Sequence, residues 1–547
     1  MIAALLALAL ASGPPLLITG GPIYTGEAAS PRAQAVLVRD GRIAFVGAFK
    51  TAQAQAGPGV RRVDLKGAAL FPGFTDSHAH LRAIGERELT LNLEGSKSAA
   101  EAISRLKAWI AAHPPAGGAT LVGRGWIETS WPEKRFLTRD DIDAVAPSTP
   151  VLLVRSDGHA LVANSAALKA AGISADTPDP FGGKVLKDAA GRPTGMLVDN
   201  AKGLVGKLMT APTQVDRRAA FKEAFKVETR YGWTGVHSMS VSFADVPLLE
   251  NMAARGEAPL RVYNAVDVGE AEPLFLSGPR ASADGRITTR AIKMYADGAL
   301  GSRGAALLEP YEDAPGSTGL LLLKPEQTAP ILKRALNAGL QVCTHAIGDR
   351  ANRVVLDLYE QAFADPPANV RRMAPRWRIE HAQNVTDADI PRFAALGVIP
   401  SMQPSHAIGD LHFAGARLGQ ARLSEGYAWK KLIDAGSIVP GGSDAQVERG
   451  DPLIEFYAAV ARKDLKGYSG PGWHPEQAVD RATALKMFTA WPAYARFAEA
   501  DLGTIAVGKR ADLTAFSVDL MTAPETAIPK GHATLTVVDG AVVFTAP

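Results

Sequence analysis

Eight short apolar runs, separated by helix-like stretches, constrain the fold of this 547-residue chain more than any other feature. Apolar runs that alternate with helical patterns are typical of parallel βα units. Eight such units are what a closed (β/α)8 TIM-like barrel needs. The sequence therefore predicts an α/β fold built on this barrel. The strand candidates are residues 69–75, 234–239, 260–266, 290–295, 340–345, 377–381, 397–402 and 437–442.

Residues 83–228 contain elements of their own, and the strand count works only if they are an insertion after the first barrel strand. Ser98 and Glu101 fit a capping box before an apolar helix face. Residues 121–122 and 151–154 look like strands. An insertion at the carboxyl end of a barrel strand lies beside the active site of such a fold. We therefore predict an α/β cap at 83–228 over a barrel made from 69–82 and 229–499.

Both ends of the chain contain β-type segments joined by Asp-Gly turns. Residues 35–38 and 42–46 flank Asp40-Gly41, and residues 534–538 and 541–544 flank Asp539-Gly540. An Asp-Gly pair between apolar strands is typical of a hairpin. We predict that residues 17–68 and 500–547 together form one small β-sandwich.

The first eleven residues, MIAALLALALA, are apolar but too short to span a bilayer. They are similar to the apolar core of a secretion signal, although the usual basic start is missing. We predict a signal peptide over residues 1–16, with cleavage near Ala11, and hence a periplasmic or secreted protein. The alternative is a buried first strand in a cytoplasmic protein.

The composition argues against several classes of partner. A net charge of +3 indicates neither a nucleic-acid surface nor binding to an acidic membrane. The single cysteine, Cys343, excludes an intramolecular disulfide and a thiolate zinc site, so we expect it to be a buried filler. The expected partner is a small-molecule substrate, and the sequence leaves open whether the chain forms a homo-oligomer.

Four histidines, an aspartate and a lysine lie at or near the ends of the predicted barrel strands. Alternation along a strand places His78 and His80 on the same face, where they can share one divalent metal. One histidine at a strand end is more often a core or surface group than a ligand. A lysine inside an apolar strand is costly unless it is paired or chemically changed. The set gains weight because it spans five predicted strands: His78, His80, Lys293, His345, His381 and Asp444.

Longer motifs around these residues resemble those of the amidohydrolase superfamily, and specifically its YtcJ-like branch, which includes N-substituted formamide deformylases. The resemblance covers the chain from about residue 17 to its end. Residues 506–513 (AVGKRADL) resemble the return of that family to its β-sandwich. The other motifs are residues 71–81 (FPGFTDSHAHL), 157–160 (DGHA), 297–303 (DGALGSR), 344–349 (THAIGD), 379–383 (IEHAQ) and 402–404 (MQP).

The resemblance implies a centre with one or two zinc ions, although other divalent metals and a one-metal site stay open. Nitrogen and oxygen ligands with open positions suit Zn2+. Asp444 would also transfer the proton during catalysis, the alternative being a plain ligand. The implied ligands are His78, His80 and Asp444 for the first metal, His345 and His381 for the second, and a carbamate on Lys293 between them.

Three candidates for substrate contact lie in the predicted cap. Trp126 could wall an apolar pocket or pack the core of the insertion. Asp157 and His159 match a family motif and could enter the site from the cap. Glu380, beside His381, points away from the metal in an extended strand, so we expect a structural role or a hydrogen bond to a ligand.

Three more candidates follow the later barrel strands. Arg303 comes after the fourth strand, where it could hold a substrate carboxylate or pair with Asp297. Gln403 and His406 follow the seventh strand and could contact the carbonyl group of the substrate. All three positions lie at the end of the barrel where active sites of this fold occur.

The expected function is metal-dependent hydrolysis of a carbon–nitrogen bond, in a non-peptide amide or an N-formyl or N-acyl amine, by metal-activated hydroxide. Esterase or lactonase activity at the same site is an alternative, because this attack does not depend on the leaving atom. The other alternative is a non-catalytic binding or regulatory protein on the same fold. The intact set of six candidate ligands argues against that second alternative.

Overall fold

The computed structural model describes residues 15–114, 119–208, 214–364, 366, 374–470 and 473–547. Residues 1–14 of the predicted signal peptide therefore lie outside the described residues. Leu16, the last residue of that predicted segment, already pairs with Val38 in a strand. None of the described helices is long and apolar enough to cross a membrane.

The first part of the chain forms seven short strands and one helix. The predicted turn at Asp40-Gly41 joins two of them, and these residues have φ values of 50° and 74°. Positive φ at both central residues is what a type I′ hairpin requires, and it explains the Asp-Gly pair. The elements are β1 (Leu16–Thr19), β2 (Ile23–Tyr24), β3 (Arg32–Ala33), β4 (Ala35–Arg39), β5 (Arg42–Gly47), α1 (Phe49–Ala56), β6 (Arg61–Asp64) and β7 (Ala69–Pro72).

The apolar run at 69–75 is divided between two sheets. β7 pairs within the terminal sandwich, whereas β8 (Phe74–Ala79) is the first strand of the barrel. A Cβ atom on Gly73, between them, would lie 2.4 Å from Thr234 Oγ1 and 2.9 Å from Asp512 Cβ. The first barrel strand thus begins at Phe74, after a crossing point that has room only for glycine.

A second mixed sheet with helices of its own, called the cap from here on, lies between β8 and the next barrel strand. The helices that flank it in sequence, Leu81–Leu89 and Gln214–Tyr231, pack against the barrel instead, although most of their residues fall within the predicted cap. The strand order of the cap is β13-β14-β12-β11-β10-β9, so residues 121–126 and 151–155 lie in this sheet and not in the barrel. Ser98 Oγ accepts from the N–H of Glu101 at 3.1 Å and so caps α3. The elements are α2 (Leu81–Leu89), β9 (Leu91–Asn92), α3 (Ala99–Ala112), β10 (Leu121–Trp126), α4 (Arg139–Asp143), β11 (Val151–Arg155), β12 (Ala160–Ala163), α5 (Ser165–Ala170), β13 (Gly183–Lys187), β14 (Pro193–Asp199) and α6 (Gln214–Tyr231).

The barrel consists of parallel strands in the order β8-β15-β16-β18-β19-β20-β21, which confirms the predicted fold class. A short strand, β17, pairs antiparallel with β18. The helix Ile390–Leu396 ends at Gly397, which lies in the left-handed region. The elements are β15 (Trp233–Val241), α7 (Asp245–Ala254), β16 (Arg261–Asp267), α8 (Glu272–Ser277), β17 (Arg280–Ala281), β18 (Ile287–Tyr295), α9 (Pro325–Asn337), β19 (Gln341–Ala346), α10 (Asp349–Ala364), β20 (Arg378–His381), α11 (Ile390–Leu396), β21 (Ile399–Ser401), α12 (Pro404–Asp410), α13 (Ala414–Leu418), α14 (Trp429–Asp434), α15 (Pro452–Ala461), α16 (Arg481–Phe488) and α17 (Ala490–Ala495).

The eighth barrel position is occupied by an irregular extended segment instead of the regular strand predicted at 437–442. Met402 N–H donates to the carbonyl oxygen of Pro440 at 3.1 Å, and Ser77 N–H donates to that of Gly441 at 3.1 Å. The segment therefore connects β21 to β8 and closes the barrel. Proline has no N–H to donate, which explains why no regular ladder forms along it.

The last part of the chain returns to the sandwich as β22 (Leu513–Phe516), β23 (Ala533–Val538) and β24 (Ala541–Thr545). One sheet has the order β24-β23-β22-β7-β2-β3, and the other has the order β5-β4-β1-β6. Buried apolar side chains from both ends of the chain pack together, among them Ile18, Val36, Leu513 and Val537. Short 3-10 helices complete the described structure at Glu128–Ser130, Asn200–Leu208, Val268–Glu270, Gln420–Glu425, Pro475–Gln477 and Glu525–Lys530.

Candidate metal centre

The carboxyl ends of the barrel strands bring four histidine rings together. His78 lies on β8, His345 on β19 and His381 at the end of β20, and His80 follows β8 directly. The centroid of the His381 ring lies 4.7 Å from that of His78 and 4.6 Å from that of His345. The His78 and His80 ring centroids are 5.6 Å apart. Strands that are distant in sequence thus place these rings in one compact cluster.

Asp444 joins this cluster from the segment that closes the barrel. Its Oδ1 lies 3.2 Å from His80 Nε2 and 3.5 Å from His78 Nε2. Ligand atoms of Asp444, His78 and His381 lie within 4.8 Å of one another, a spacing that one metal ion could fill. Burial alone raises the pKa of Asp444, but the His78 and His80 rings lower it more, so its pKa is below the usual value.

The backbone approaches His78 closely just before Asp444. A Cβ atom on Gly442 would lie 2.5 Å from the backbone nitrogen of His78. Asp444 has a φ of 59°, and its N–H donates to the carbonyl oxygen of His78 at 2.6 Å. Asp76 ties the same segments together, because its Oδ1 accepts from the N–H groups of His78 (3.0 Å) and Ser443 (2.9 Å). Burial raises the pKa of Asp76 to about 7.

A buried glutamate fixes the orientation of the His78 ring. His78 Nδ1–H donates to Glu380 Oε2 at 2.6 Å, which leaves Nε2 as the unprotonated nitrogen. Arg378 holds the glutamate through its Nε, 2.7 Å from Glu380 Oε1. The expected contact between Glu380 and a ligand is thus present, whereas the sequence analysis missed Arg378. Its position two residues before Glu380, on the same face of β20, is the signal that could have revealed it.

The other two barrel histidines are oriented by groups outside the cluster. Gln403 Oε1 accepts from His381 Nδ1 at 2.7 Å. The amide oxygen of Gln403 is thus already bound to this ring, and its contact with the substrate stays a prediction. His345 Nε2 lies 3.4 Å from Asp297 Oδ1 and 3.5 Å from the carbonyl oxygen of Gly298, so Nδ1 is its nitrogen available to a ligand.

Lys293 lies on β18 with only 1% of its surface exposed. Its Nζ is 5.1 Å from the centre of the Tyr295 ring, and it forms no ion pair with any described residue. Burial lowers the pKa of this amine, and the charges of Glu380 and Asp444 raise it only in part. Lys293 is therefore a buried amine beside the cluster, without an ion-pair partner among the described residues.

Two cavities share lining residues at the cluster. The first, called the isoleucine chamber, has a volume of about 840 Å3 and follows the later strands and their loops. The second, called the lysine chamber, has a volume of about 670 Å3 and follows the earlier strands. Apolar side chains of the isoleucine chamber include Ile127, Leu300, Ile347, Ile408 and Phe413. Both chambers are lined by Asp157, His159, His345, His381, Asp444 and Val447.

Three of the predicted substrate-contact residues lie at these chambers. His159 projects from the cap, with its ring centroid 4.9 Å from that of His345, and its Nδ1–H donates to Asp199 Oδ1 at 2.7 Å. Asp157 pairs with the buried Arg155, and its Oδ1 accepts from the N–H of His159 at 3.0 Å. His406 lines the isoleucine chamber, and its Nε2 lies 3.6 Å from Asp444 Oδ2.

Two of the predicted substrate-contact residues lie elsewhere. Trp126 is fully buried in the cap, where its Nε1–H donates to the carbonyl oxygen of Leu153 at 2.9 Å. It therefore packs the insertion core, which was the alternative to walling a pocket. Arg303 lines neither chamber and pairs with Asp313 at 2.9 Å. It does not pair with Asp297, whose carboxylate instead accepts backbone N–H groups of the neighbouring loops, including that of Gly348 at 2.7 Å.

Comparison with known proteins decides the family. Residues 61–544 match the model of an amidohydrolase family. The chain belongs to the amidohydrolase family. The Bacillus subtilis protein YtcJ is 36% identical over 96% of this chain and 98% of its own length, which confirms the resemblance to the YtcJ-like branch.

Two further relatives extend this assignment. The N-substituted formamide deformylase of Arthrobacter pascens is 27% identical, covering 92% of this amidohydrolase and 93% of its own chain. The crystal structure of a metal-dependent hydrolase from Pyrococcus horikoshii superposes with a TM-score of 0.74 at 28% identity, covering 93% of this chain and 99% of the other. Family membership identifies the chain as a hydrolase of a metal-dependent class.

Proposed function

We propose that this amidohydrolase cleaves a non-peptide carbon–nitrogen bond in an N-formyl or N-acyl amine, with one or two zinc ions. The observation that carries the proposal is the buried cluster of nitrogen and oxygen ligands where both chambers meet. Cavities of this size suit a small-molecule substrate. The relative that is named as a formamide deformylase supports this type of bond.

The unpartnered atoms of the cluster fit a divalent metal. His78 Nε2 and Asp444 Oδ1 are buried without a hydrogen-bond partner among the described residues. Buried polar groups are otherwise almost always partnered, so such atoms indicate an ion that they would bind. His78, His80 and Asp444 would hold one ion, and His345 and His381 would hold the other. Imidazole and carboxylate ligands suit zinc.

Lys293 would bridge the two ions after its neutral amine has reacted with carbon dioxide. In that reaction the amine nitrogen bonds to the carbon atom of carbon dioxide and releases one proton to solvent, which leaves an anionic carbamate. The depth of burial of Lys293 and the absence of an ion pair with any described residue support this proposal. An unpaired ammonium ion is costly to bury, whereas a carbamate between two cations is stabilised.

A bound divalent metal lowers the pKa of water and polarises a carbonyl oxygen. Asp444 would accept the proton that the attacking water loses and donate it to the nitrogen of the leaving amine. The oxygen of the water then becomes part of the acid product as the carbon–nitrogen bond breaks. Asp157 and His159, which reach the cluster from the cap, would hold the substrate and exclude bulk water.

Protein purified without chelators is expected to contain one or two zinc ions per chain and to hydrolyse N-formyl and N-acyl amines. Replacing both His78 and His80 with alanine should abolish the first metal site and the activity, because two of its ligands vanish. Elemental analysis and release of free amine measure the two effects. Replacing the exposed His113 and His532 with alanine is the matched control.

Three outcomes would contradict parts of this proposal. If the purified protein contains almost no metal and chelators leave its activity unchanged, the proposed metal centre is excluded. Cleavage of esters or lactones without cleavage of any amide would favour the esterase alternative. Full metal content without any turnover, on a broad panel, would favour a binding protein on the same fold.

Glu380→Gln is expected to lower zinc affinity by roughly 10- to 100-fold, as for other groups that orient a ligand histidine. The substitution keeps the shape of the side chain but removes the charge that the His78 Nδ1–H faces. Competition with a chelator of known affinity measures the change. Glu326→Gln, on an exposed position of α9, is the control, and equal affinities of both variants would refute the orienting role.

A further inference from the structure

The two chambers divide the space around the cluster, so a substrate that is bound at the metals places one substituent in each. The shared lining residues include His159 and Val447. The bond that breaks would lie between the two chambers. The character of the lysine chamber therefore predicts the chemistry of one substituent, provided that the proposed function holds.

Five carboxylates line the lysine chamber, and four of them have a basic partner, while the fifth, Asp444, belongs to the metal cluster. Glu86 Oε1 lies 3.1 Å from Arg82 Nε. Asp245 lies 2.9 Å from Arg82 Nη1 and 3.2 Å from Arg217 Nη1. Asp157 is bound to Arg155, and Asp199 is bound to His159 through Oδ1, while its Oδ2 has no partner among the described residues.

Two cations of the same chamber, Lys202 and Arg124, are compensated less completely. Lys202 Nζ donates to the carbonyl oxygen of Gly158 and forms no ion pair with any described residue. Arg124 is only 19% exposed, and its Nη2 lies 3.4 Å from Glu86 Oε2, a long contact. Its Nε is buried without a partner among the described residues. The oxygen of Gln446, when its amide faces Arg124, adds one contact of 3.3 Å to Nη1.

These two cations also disfavour each other. Burial lowers the pKa of Lys202, and the charge of Arg124 lowers it further, while Asp199 and Asp157 raise it. Burial likewise lowers the pKa of Arg124, the charge of Glu86 raises it in part, and Arg82 lowers it further. Like charges that are held close in a partly desolvated cavity are relieved by an anion between them.

We infer that the lysine chamber binds an anionic substituent, a carboxylate, through Lys202 and Arg124. The substrate class is then an N-acyl or N-formyl amine with a carboxylate on one arm. This inference rests on the proposed function. The guanidinium group of arginine can donate two parallel hydrogen bonds to a carboxylate, and the ammonium group of lysine adds a compact positive charge.

The experiment compares matched amides in the zinc-loaded enzyme. Glutaryl-benzylamine and pentanoyl-benzylamine differ in a carboxylate on the acyl arm, and acetylated para-carboxybenzylamine and acetylated benzylamine differ in one on the amine arm. In one of these pairs, the carboxylated amide should have a kcat/KM roughly 10- to 100-fold higher, the range of a charge-assisted hydrogen bond. Lys202→Gln and Arg124→Gln should each reduce this preference through a higher KM, with the neutral amides unaffected.

Lys184→Gln is the matched control, because Lys184 lies on strand β13 of the same cap with its side chain 60% exposed. A preference that is absent from both pairs, or that survives in both variants, would overturn the inference while the proposed function stands. If no amide is hydrolysed, the proposed function fails. Calorimetric titration of the same four amides then decides the anion site alone, since tighter binding of a carboxylated amide must disappear in Lys202→Gln.

Discussion

Lys293→Ala is expected to lower kcat by at least about 10³-fold, because loss of a bridging ligand forfeits several kcal/mol of transition-state stabilisation. Metal content should fall towards one ion per chain or below. Short carboxylates such as formate, acetate and propionate should restore part of the activity, since they can place two oxygens where the carbamate would lie. Initial rates at increasing carboxylate concentration, together with elemental analysis, measure these effects.

Lys293→Met separates this chemistry from simple loss of packing. Methionine fills most of the buried volume that alanine leaves empty, but it cannot react with carbon dioxide and leaves no room for a carboxylate. Lys293→Met should therefore be as inactive as Lys293→Ala and should not respond to added acids. Full activity of Lys293→Ala would show that the bridging role is wrong and would favour a site with one metal.

The positions of the candidate ligands were predictable because they depend on a simple geometric rule. Parallel strands of one barrel end on the same side, so residues at the ends of apolar runs converge. His345 and His381 illustrate this rule, since 35 residues separate them in sequence while their rings lie 4.6 Å apart. Even so, His80 lies just beyond the end of β8 and is more exposed than His78, a difference that alternation along a strand does not show.

The residues whose environment the sequence left open depend on partners that no local pattern reveals. Gln403 follows a strand as expected, yet it binds His381 on the neighbouring strand. Arg303 pairs with Asp313 in its own loop, whose path the sequence does not fix. Trp126 packs in the same apolar cluster as Leu121 because the pairing of β10 is irregular between Arg124 and Trp126, and the sequence pattern does not show such an irregularity.

The strand boundaries differ from the predicted ones where the backbone is irregular. The apolar pattern at 69–75 predicts one strand. The chain instead passes from the sandwich to the barrel at Gly73, where neighbouring side chains leave no room for a Cβ atom. The last strand was predicted from its apolar residues, whereas Pro440 and the two glycines that follow it prevent a regular ladder. An apolar pattern indicates that a segment is buried, but it does not show which hydrogen bonds that segment makes.

Asp444→Asn is expected to lower kcat by at least about 10²-fold, within the usual contribution of general acid–base catalysis. Asparagine keeps the size of the side chain and one oxygen ligand but cannot accept the proton of the attacking water. It also tolerates the left-handed backbone that Asp444 adopts, at a φ of 59°, so the fold should be retained. Metal content should therefore fall little, and rate measurements beside elemental analysis test both parts.

Asp434→Asn on α14, where the side chain is 59% exposed, is the matched control and should leave kcat unchanged. If Asp444→Asn turns over at a near-normal rate with full metal, Asp444 is a plain ligand and another group moves the proton. His406 is then the next candidate, because its Nε2 is buried without a partner among the described residues and lies 3.6 Å from Asp444 Oδ2. In that case His406→Asn, and not Asp444→Asn, must show the large loss of kcat.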